Sequence, residues 1–380
     1  MAFEDAELLA EAERRAQAPA RWDSGALTAL SVLTQSARDD ARLTASGATA
    51  VREHILVALV NRLLRERLQD TSPGLFEIDL GAPLIVVGLP RSGTTLLHRL
   101  LALHPSSQTL RYWEVRNPVP PAGPDERLTW ARHELNMLSL SAPDLVAKHF
   151  TRPDSPEECA FLFDSSLVSS TFGIRAPLYS YVRWYAEQDD AGPYDAYRTH
   201  LQILKADRPD TRLVLKAPAH TRSIAQLRRV LPEALVVQIH RDPQRVIPSA
   251  SSLIASCYRA VSDEVDSVRV GRETLRNLEE MVRRNQGDRG TLPGGALFDC
   301  YYSDLLYEPL SLVRRIWAHA GVKVDETYED KVRSYLSRHP QGQFGQHSYR
   351  METFGVSLAE LEHRFADYVA EFPSVLDEEA

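Results

Sequence analysis

Residues 83–105 read PLIVVGLPRSGTTLLHRLLALHP, and the fold is decided by how this stretch is read. Pro83 introduces Leu84-Ile85-Val86-Val87, a short apolar run of the kind that forms a strand buried on both faces of a sheet. Gly88 through Thr95 then turns the chain, and Leu96 to Leu103 has helical spacing. A strand, a glycine-bearing loop and a helix in that order bring free backbone amides and a helix N-terminus to one point, where an anion is favoured. Gly88 and Gly93 have the spacing of the nucleotide-triphosphatase phosphate loop, but Thr94 stands where that motif carries lysine. That departure argues against an ATP-dependent kinase. Arg91 sits inside the loop instead, and its planar guanidinium can make paired, charge-assisted hydrogen bonds to phosphate or sulfate oxygens. Ser92, Gly93, Thr94 and Thr95 complete the cradle with amides and hydroxyls.

Outward from this loop, strands and helices alternate. Arg212 to Lys216, Leu235 to Ile239 and Ala296 to Tyr302 are further strand candidates, each followed by a helical segment. The pattern predicts a three-layer α/β fold with a mostly parallel sheet and phosphate-binding-loop topology. Residues 1–80 are expected to be a helical N-terminal extension, with apolar residues such as Val51, Ile55, Ala58 and Leu59 at helical spacing. Thr71-Ser72-Pro73-Gly74 ends it, and residues 81–380 form the α/β domain, with a helical insertion around 111–210 on the acceptor side. Within the insertion, Ser155-Pro156-Glu157-Glu158 has capping-box spacing and predicts a helix start that carries Phe161 and Leu162 inward. Tyr179, Tyr181, Trp184, Tyr185, Tyr194 and Tyr197 are spaced as packed helix faces, or as the lining of an apolar acceptor pocket.

The chain has 380 residues, is 43% hydrophobic and 25% charged, and carries a formal net charge of -8. Such a chain builds a large core, and its acidity excludes a nonspecific nucleic-acid binder, which needs a basic face against phosphates. Cys159, Cys257 and Cys300 are few and scattered, so no disulfide framework or C-x-x-C metal site is expected. Met1 to Arg15 lacks the basic start and apolar run of a secretory signal, and no stretch reaches the length of a membrane span. A cytoplasmic protein without integral membrane association is expected, and no oligomeric state is specified.

The string from Pro83 to Pro105 resembles the 5'-phosphosulfate loop of the broad bacterial sulfotransferase family, and tyrosylprotein sulfotransferases have a similar loop. The resemblance implies 3'-phosphoadenosine 5'-phosphosulfate as sulfuryl donor, adenosine 3',5'-bisphosphate as product, and no required metal. It also implies a second element for the 3'-phosphate, an arginine and a serine. His240-Arg241-Asp242-Pro243 supplies Arg241, and Ser249 follows at the family's spacing. Pro248 beside Ser249 is expected to kink the helix there. Tyr302, at a strand end and followed by Pro309, resembles a family tyrosine that lies near the nucleotide, and a buried core tyrosine is an equal reading. Gly345-Gln346-His347-Ser348-Tyr349-Arg350 resembles the family's C-terminal string, with Gln341, Gln343 and Gln346 where many members are more basic.

The same resemblance implies in-line transfer of a sulfuryl group to a hydroxyl of a small molecule, lipid or sugar. Arg91 would then both bind the donor and stabilise charge on the departing phosphate. Three residues are candidates for the base that takes the acceptor's proton: Glu114, at about the place of the tyrosylprotein enzymes' catalytic glutamate, and His149 and His220, whose imidazoles suit proton transfer near neutrality. A kinase on a degenerate loop and a noncatalytic nucleotide-binding protein are the competing readings.

Overall fold

The computed structural model describes residues 3–18, 20–121, 123–148, 151–339 and 350–379. Its packing falls into two compact units. One comprises Met1–Asp79, Arg111–Pro209 and Leu253–Val265, and the other Leu80–Leu110, Asp210–Ser252 and Asp266–Ala380. The segment expected as an N-terminal extension and most of the expected insertion therefore share one unit, together with the end of a later helix.

That first unit is helical. Its longest helix, Ala45–Thr71, starts because the Thr44 side chain accepts the Gly47 amide at 2.9 Å. Gly47 is needed for packing, since a Cβ there would lie 1.9 Å from the Val261 carbonyl oxygen. Leu30, Leu33, Ile55, Leu56 and Leu59 form the core with Phe172 and Tyr181. Tyr181 and Tyr197 are fully buried and Tyr179 and Tyr194 nearly so, and the Tyr181 hydroxyl donates to the Leu167 carbonyl at 2.9 Å. The capping box at Ser155 does not form. The Ser155 carbonyl accepts the Tyr112 amide at 3.1 Å, Pro156 bridges Arg111, and a 3-10 helix begins later, at Cys159. Leu162 is buried as expected, and Phe161 is only half-buried.

The second unit holds a parallel sheet of five strands among the described residues: β1 Leu84–Gly88, β2 Ser107–Gln108, β3 Arg212–Lys216, β4 Leu235–His240 and β5 Leu297–Tyr301, in the order β2-β3-β1-β4-β5. β1 is central, with Val86 opposite Lys216 on one side and Val237 on the other. Alternate strand residues, Leu84, Val86, Val214, Val237 and Ile239, pack with Leu97, Leu312, Ile316 and Trp317. Ile85, Val87 and Val236 are equally buried on the other face, so the sheet is the middle of three layers. A further core joins Val246, Ile247, Leu275, Leu278, Phe365 and Phe372. Because β1, β3, β4 and β5 are parallel, Gly88, Lys216, His240 and Tyr301 end at one edge of the sheet. Ligands of open α/β sheets bind at such an edge. Among the described residues, no helix is long and apolar enough to cross a membrane.

Candidate active site

The loop after β1 is tied down before any ligand is considered. The Gly88 amide donates to Thr221 Oγ1 at 2.9 Å, and that hydroxyl donates back to the Gly88 carbonyl at 3.1 Å. Ser92 closes the turn internally, its hydroxyl donating to the Leu89 carbonyl at 2.6 Å. Gly88 has φ 140° and Gly93 φ 92°. A Cβ on Gly88 would lie 2.4 Å from the Ile239 carbonyl oxygen, and one on Gly93 would meet Leu305 at 2.8 Å and Tyr302 at 2.9 Å. Both glycines are thus required by backbone conformation and by space. Arg91 also has a positive φ, 69°. Left-handed backbone at a residue with a side chain costs about 1 kcal/mol, and such residues gather at binding sites. The helix Thr94–Leu101 starts directly from this turn, so its first amides face the loop.

Three cations meet the loop. Arg91 Nε donates to Ser249 Oγ at 3.1 Å. One guanidinium nitrogen of Arg241 donates to the Arg91 carbonyl at 2.6 Å, and that guanidinium stacks over the Tyr302 ring at 3.8 Å from its centroid. Lys216, at the end of β3, donates to Thr95 Oγ1 at 3.3 Å. A lysine thus lies against the start of the loop's helix, carried by the neighbouring strand and not by the loop. In the sequence Lys216 was read as the end of a strand and given no part, although a charged residue closing an apolar strand was a visible signal. Pro248 lies within the helix Pro243–Arg259, which continues through it and presents Ser249 to Arg91.

The base candidates are placed differently. Glu114 belongs to the helical unit and is buried, with one carboxylate oxygen accepting the Arg111 amide at 2.7 Å and the other Arg208 at 3.3 Å. His220 lies in the α/β unit with no exposed surface, and burial pushes its imidazole down to about 3. His149 and the string 345–349 lie outside the described residues.

Two glycines with positive φ, the first amides of a helix and three cations thus gather at the carboxyl edge of a parallel sheet, as in α/β proteins that bind anionic ligands. The chain belongs to the sulfotransferase family, whose profile matches residues 83–326. It is therefore an enzyme, and the noncatalytic and kinase readings give way to sulfuryl transfer. The omega-hydroxy-beta-dihydromenaquinone-9 sulfotransferase Stf3 of Mycobacterium bovis is 26% identical over 282 residues, covering 68% of this chain and 67% of that protein. The fold is that of sulfotransferase STF9 from Mycobacterium avium, with a TM-score of 0.87 at 24% identity over 97% of this chain and 96% of the other. Sulfotransferase STF1 from Mycobacterium tuberculosis H37Rv superimposes with a TM-score of 0.79 at 26% identity, covering 96% and 98%.

Proposed function

We propose that this sulfotransferase takes its sulfuryl group from 3'-phosphoadenosine 5'-phosphosulfate and passes it to a hydroxyl of a small molecule or lipid. The observation that carries the donor is the joining of two anion positions through Arg91: its backbone lies in the loop after β1, and its side chain and carbonyl reach Ser249 and Arg241 after β4. A donor with a 5'-phosphosulfate and a 3'-phosphate matches two such positions, and the glycines that exclude a Cβ at the loop fit close approach of phosphate to backbone. The donor brings an activated sulfuryl group and a phosphate that leaves with it. Loop amides, Arg91 and Lys216 stabilise the negative charge that grows on the leaving side, and they are oriented before the ligand arrives. Arg241, Ser249 and Tyr302 hold the 3'-phosphate and the nucleotide beside it. Glu114 takes the acceptor's proton in this reading, because its two carboxyl oxygens offer acceptor positions beyond the two engaged by Arg111 and Arg208. A hydroxylated lipid is the favoured acceptor class, since the relative of Mycobacterium bovis is named for a hydroxylated menaquinone.

Calorimetric titration with adenosine 3',5'-bisphosphate and 5'-AMP tests the donor. The bisphosphate should bind at least about tenfold more tightly, the worth of one charge-assisted contact set, and Arg241→Ala should erase the difference. Equal affinities in the unaltered enzyme would remove the proposed donor. Transfer of labelled sulfuryl to a panel of hydroxylated lipids should then be lost in Glu114→Gln with bisphosphate binding intact.

A further inference from the structure

Arg241 is fixed at its guanidinium end by the Arg91 carbonyl and the Tyr302 ring. Its backbone end is held by a different set of residues, drawn from β4, β5 and the C-terminal helix Ala366–Glu371. His240, the residue before Arg241, is fully buried. Its Nε2 lies 2.9 Å from Asp299 Oδ1 and its Nδ1 3.1 Å from the Tyr368 hydroxyl. Phe372 stacks on the ring at 3.8 Å, and Arg289 holds the other Asp299 oxygen at 2.6 Å. The Arg241 backbone amide donates to the Tyr368 phenolic oxygen.

The direction of this chain is dictated by chemistry. An ionised carboxylate only accepts, so Nε2 carries the imidazole proton and Nδ1 presents a lone pair. Burial pushes the His240 imidazole down, which keeps the ring neutral near pH 7 and leaves that lone pair free to accept. The Tyr368 hydroxyl therefore donates to Nδ1, and its oxygen turns toward the Arg241 amide. Every donor and acceptor from Arg241 through Tyr368 and His240 to Asp299 has one assignment. Reversal at any link would leave two donors or two acceptors facing each other inside the protein, which costs more than the bond itself.

We propose that Tyr368 is a positioning residue for the donor's 3'-phosphate, fixing the Arg241 backbone so that its guanidinium stays between Tyr302 and the Arg91 carbonyl. The role rests on the reading of Arg241 as the 3'-phosphate arginine. It makes the C-terminal helix, which has no phosphate-binding motif of its own, part of the discrimination between a 3'-phosphorylated nucleotide and one without that group. The hydroxyl acts through Arg241 and touches neither reacting atom, so its loss acts on donor binding and spares turnover at saturation.

The test is titration of adenosine 3',5'-bisphosphate and 5'-AMP into the full chain and into Tyr368→Phe, Phe372→Leu and Arg241→Ala. Tyr368→Phe keeps the ring and removes one hydroxyl, and it should weaken the bisphosphate about fivefold, the worth of one hydrogen bond, with 5'-AMP unchanged. The donor KM should rise by the same factor and kcat should stay constant. Phe372→Leu, which thins the same packing and leaves the hydrogen bonds in place, should lower Tm and keep the ratio of the two affinities. The proposal is overturned if Tyr368→Phe keeps that ratio while Arg241→Ala collapses it, or if Phe372→Leu shifts the ratio as much as Tyr368→Phe does. A ratio indifferent to Arg241→Ala would instead overturn the donor assignment, and the role of Tyr368 with it.

Discussion

The interior of the helical unit and the phosphate loop of the α/β unit hold their charged side chains against different kinds of partner. In the helical unit, opposite charges compensate one another. Asp164 is shared among several partners: its Oδ2 takes His54 Nε2 at 2.7 Å, an imidazole that burial pushes down to about 4 and keeps neutral near pH 7, and its other oxygen takes the Thr171 hydroxyl. Arg116 is 3.7 Å from Asp164 and 3.0 Å from Glu134, and Glu134 also receives Arg175 at 3.2 Å and the Tyr112 hydroxyl at 2.7 Å. Burial alone would raise the Glu134 carboxyl, but the Arg116 and Arg175 guanidinium groups overcome it and hold the group at about 2. At the sheet edge of the α/β unit, cations meet neutral acceptors: the Thr95 and Ser249 hydroxyls and the Arg91 carbonyl. A hydroxyl or carbonyl orients a cation without cancelling its charge. The first arrangement fixes one packing of helices, and the second orients cations around the loop.

The comparison breaks most readily at Arg116. Arg116→Met fills similar space but leaves Asp164 and Glu134 without their shared guanidinium, and uncompensated buried charge of this kind costs about 3–5 kcal/mol. Urea unfolding should show that loss, while affinity for adenosine 3',5'-bisphosphate, measured on folded protein, should hold within about twofold, below what one hydrogen bond is worth. A parallel fall in affinity would show that the helical unit's network also serves the donor.

Lys216 probes the other side. Lys216→Met should lower kcat by about a hundredfold, the scale for removing one preorganised charge-stabilising group, with a smaller loss of stability than Arg116→Met. Transfer rates at saturating donor measure it. Unchanged turnover would make Lys216 a strut for Thr95 and confine charge stabilisation to Arg91 and the loop amides.

How legible each region was follows from whether its chemistry is contiguous. β1 and its loop are one run of residues, so apolar spacing, Gly88, Gly93 and Arg91 could be read together. Arg241 and Ser249, at the end of β4 and in its following helix, were named only through the family resemblance, because His240-Arg241-Asp242-Pro243 alone reads as an ordinary strand end and helix start. Lys216 meets Thr95 across 121 residues, and Tyr368 meets His240 across 128, with no periodicity linking either pair. In the helical unit, nothing in the sequence marks Arg116 and Glu134 as interior partners, which only packing shows. Ser155 misled the boundary reading because a tertiary contact took its backbone carbonyl, and two-residue β2 was too short to leave a pattern.

Acid sharpens the contrast by the smallest margin. The α/β unit hides His220 and the helical unit hides His200, the latter with Nε2 against Ser165 Oγ at 2.8 Å. Burial lowers both imidazoles from 6.5, His220 to about 3 and His200 well below its ordinary value. Each is neutral in the folded protein, whereas the unfolded chain takes up a proton below about pH 6.5. Stability is therefore fully present above that pH and is lost as pH falls from about 6.5 toward 3, by up to about 1.4 kcal/mol per pH unit for each such histidine. The Glu134 carboxyl adds its own loss lower down, between its ordinary 4.5 and about 2. Urea unfolding at pH 7, 6 and 5 should show the histidine slope, and His220→Gln should flatten it by one proton's worth while lowering stability at pH 7. A slope unchanged by His220→Gln would assign the acid sensitivity to the other buried imidazoles, among them His240, His54 and His200.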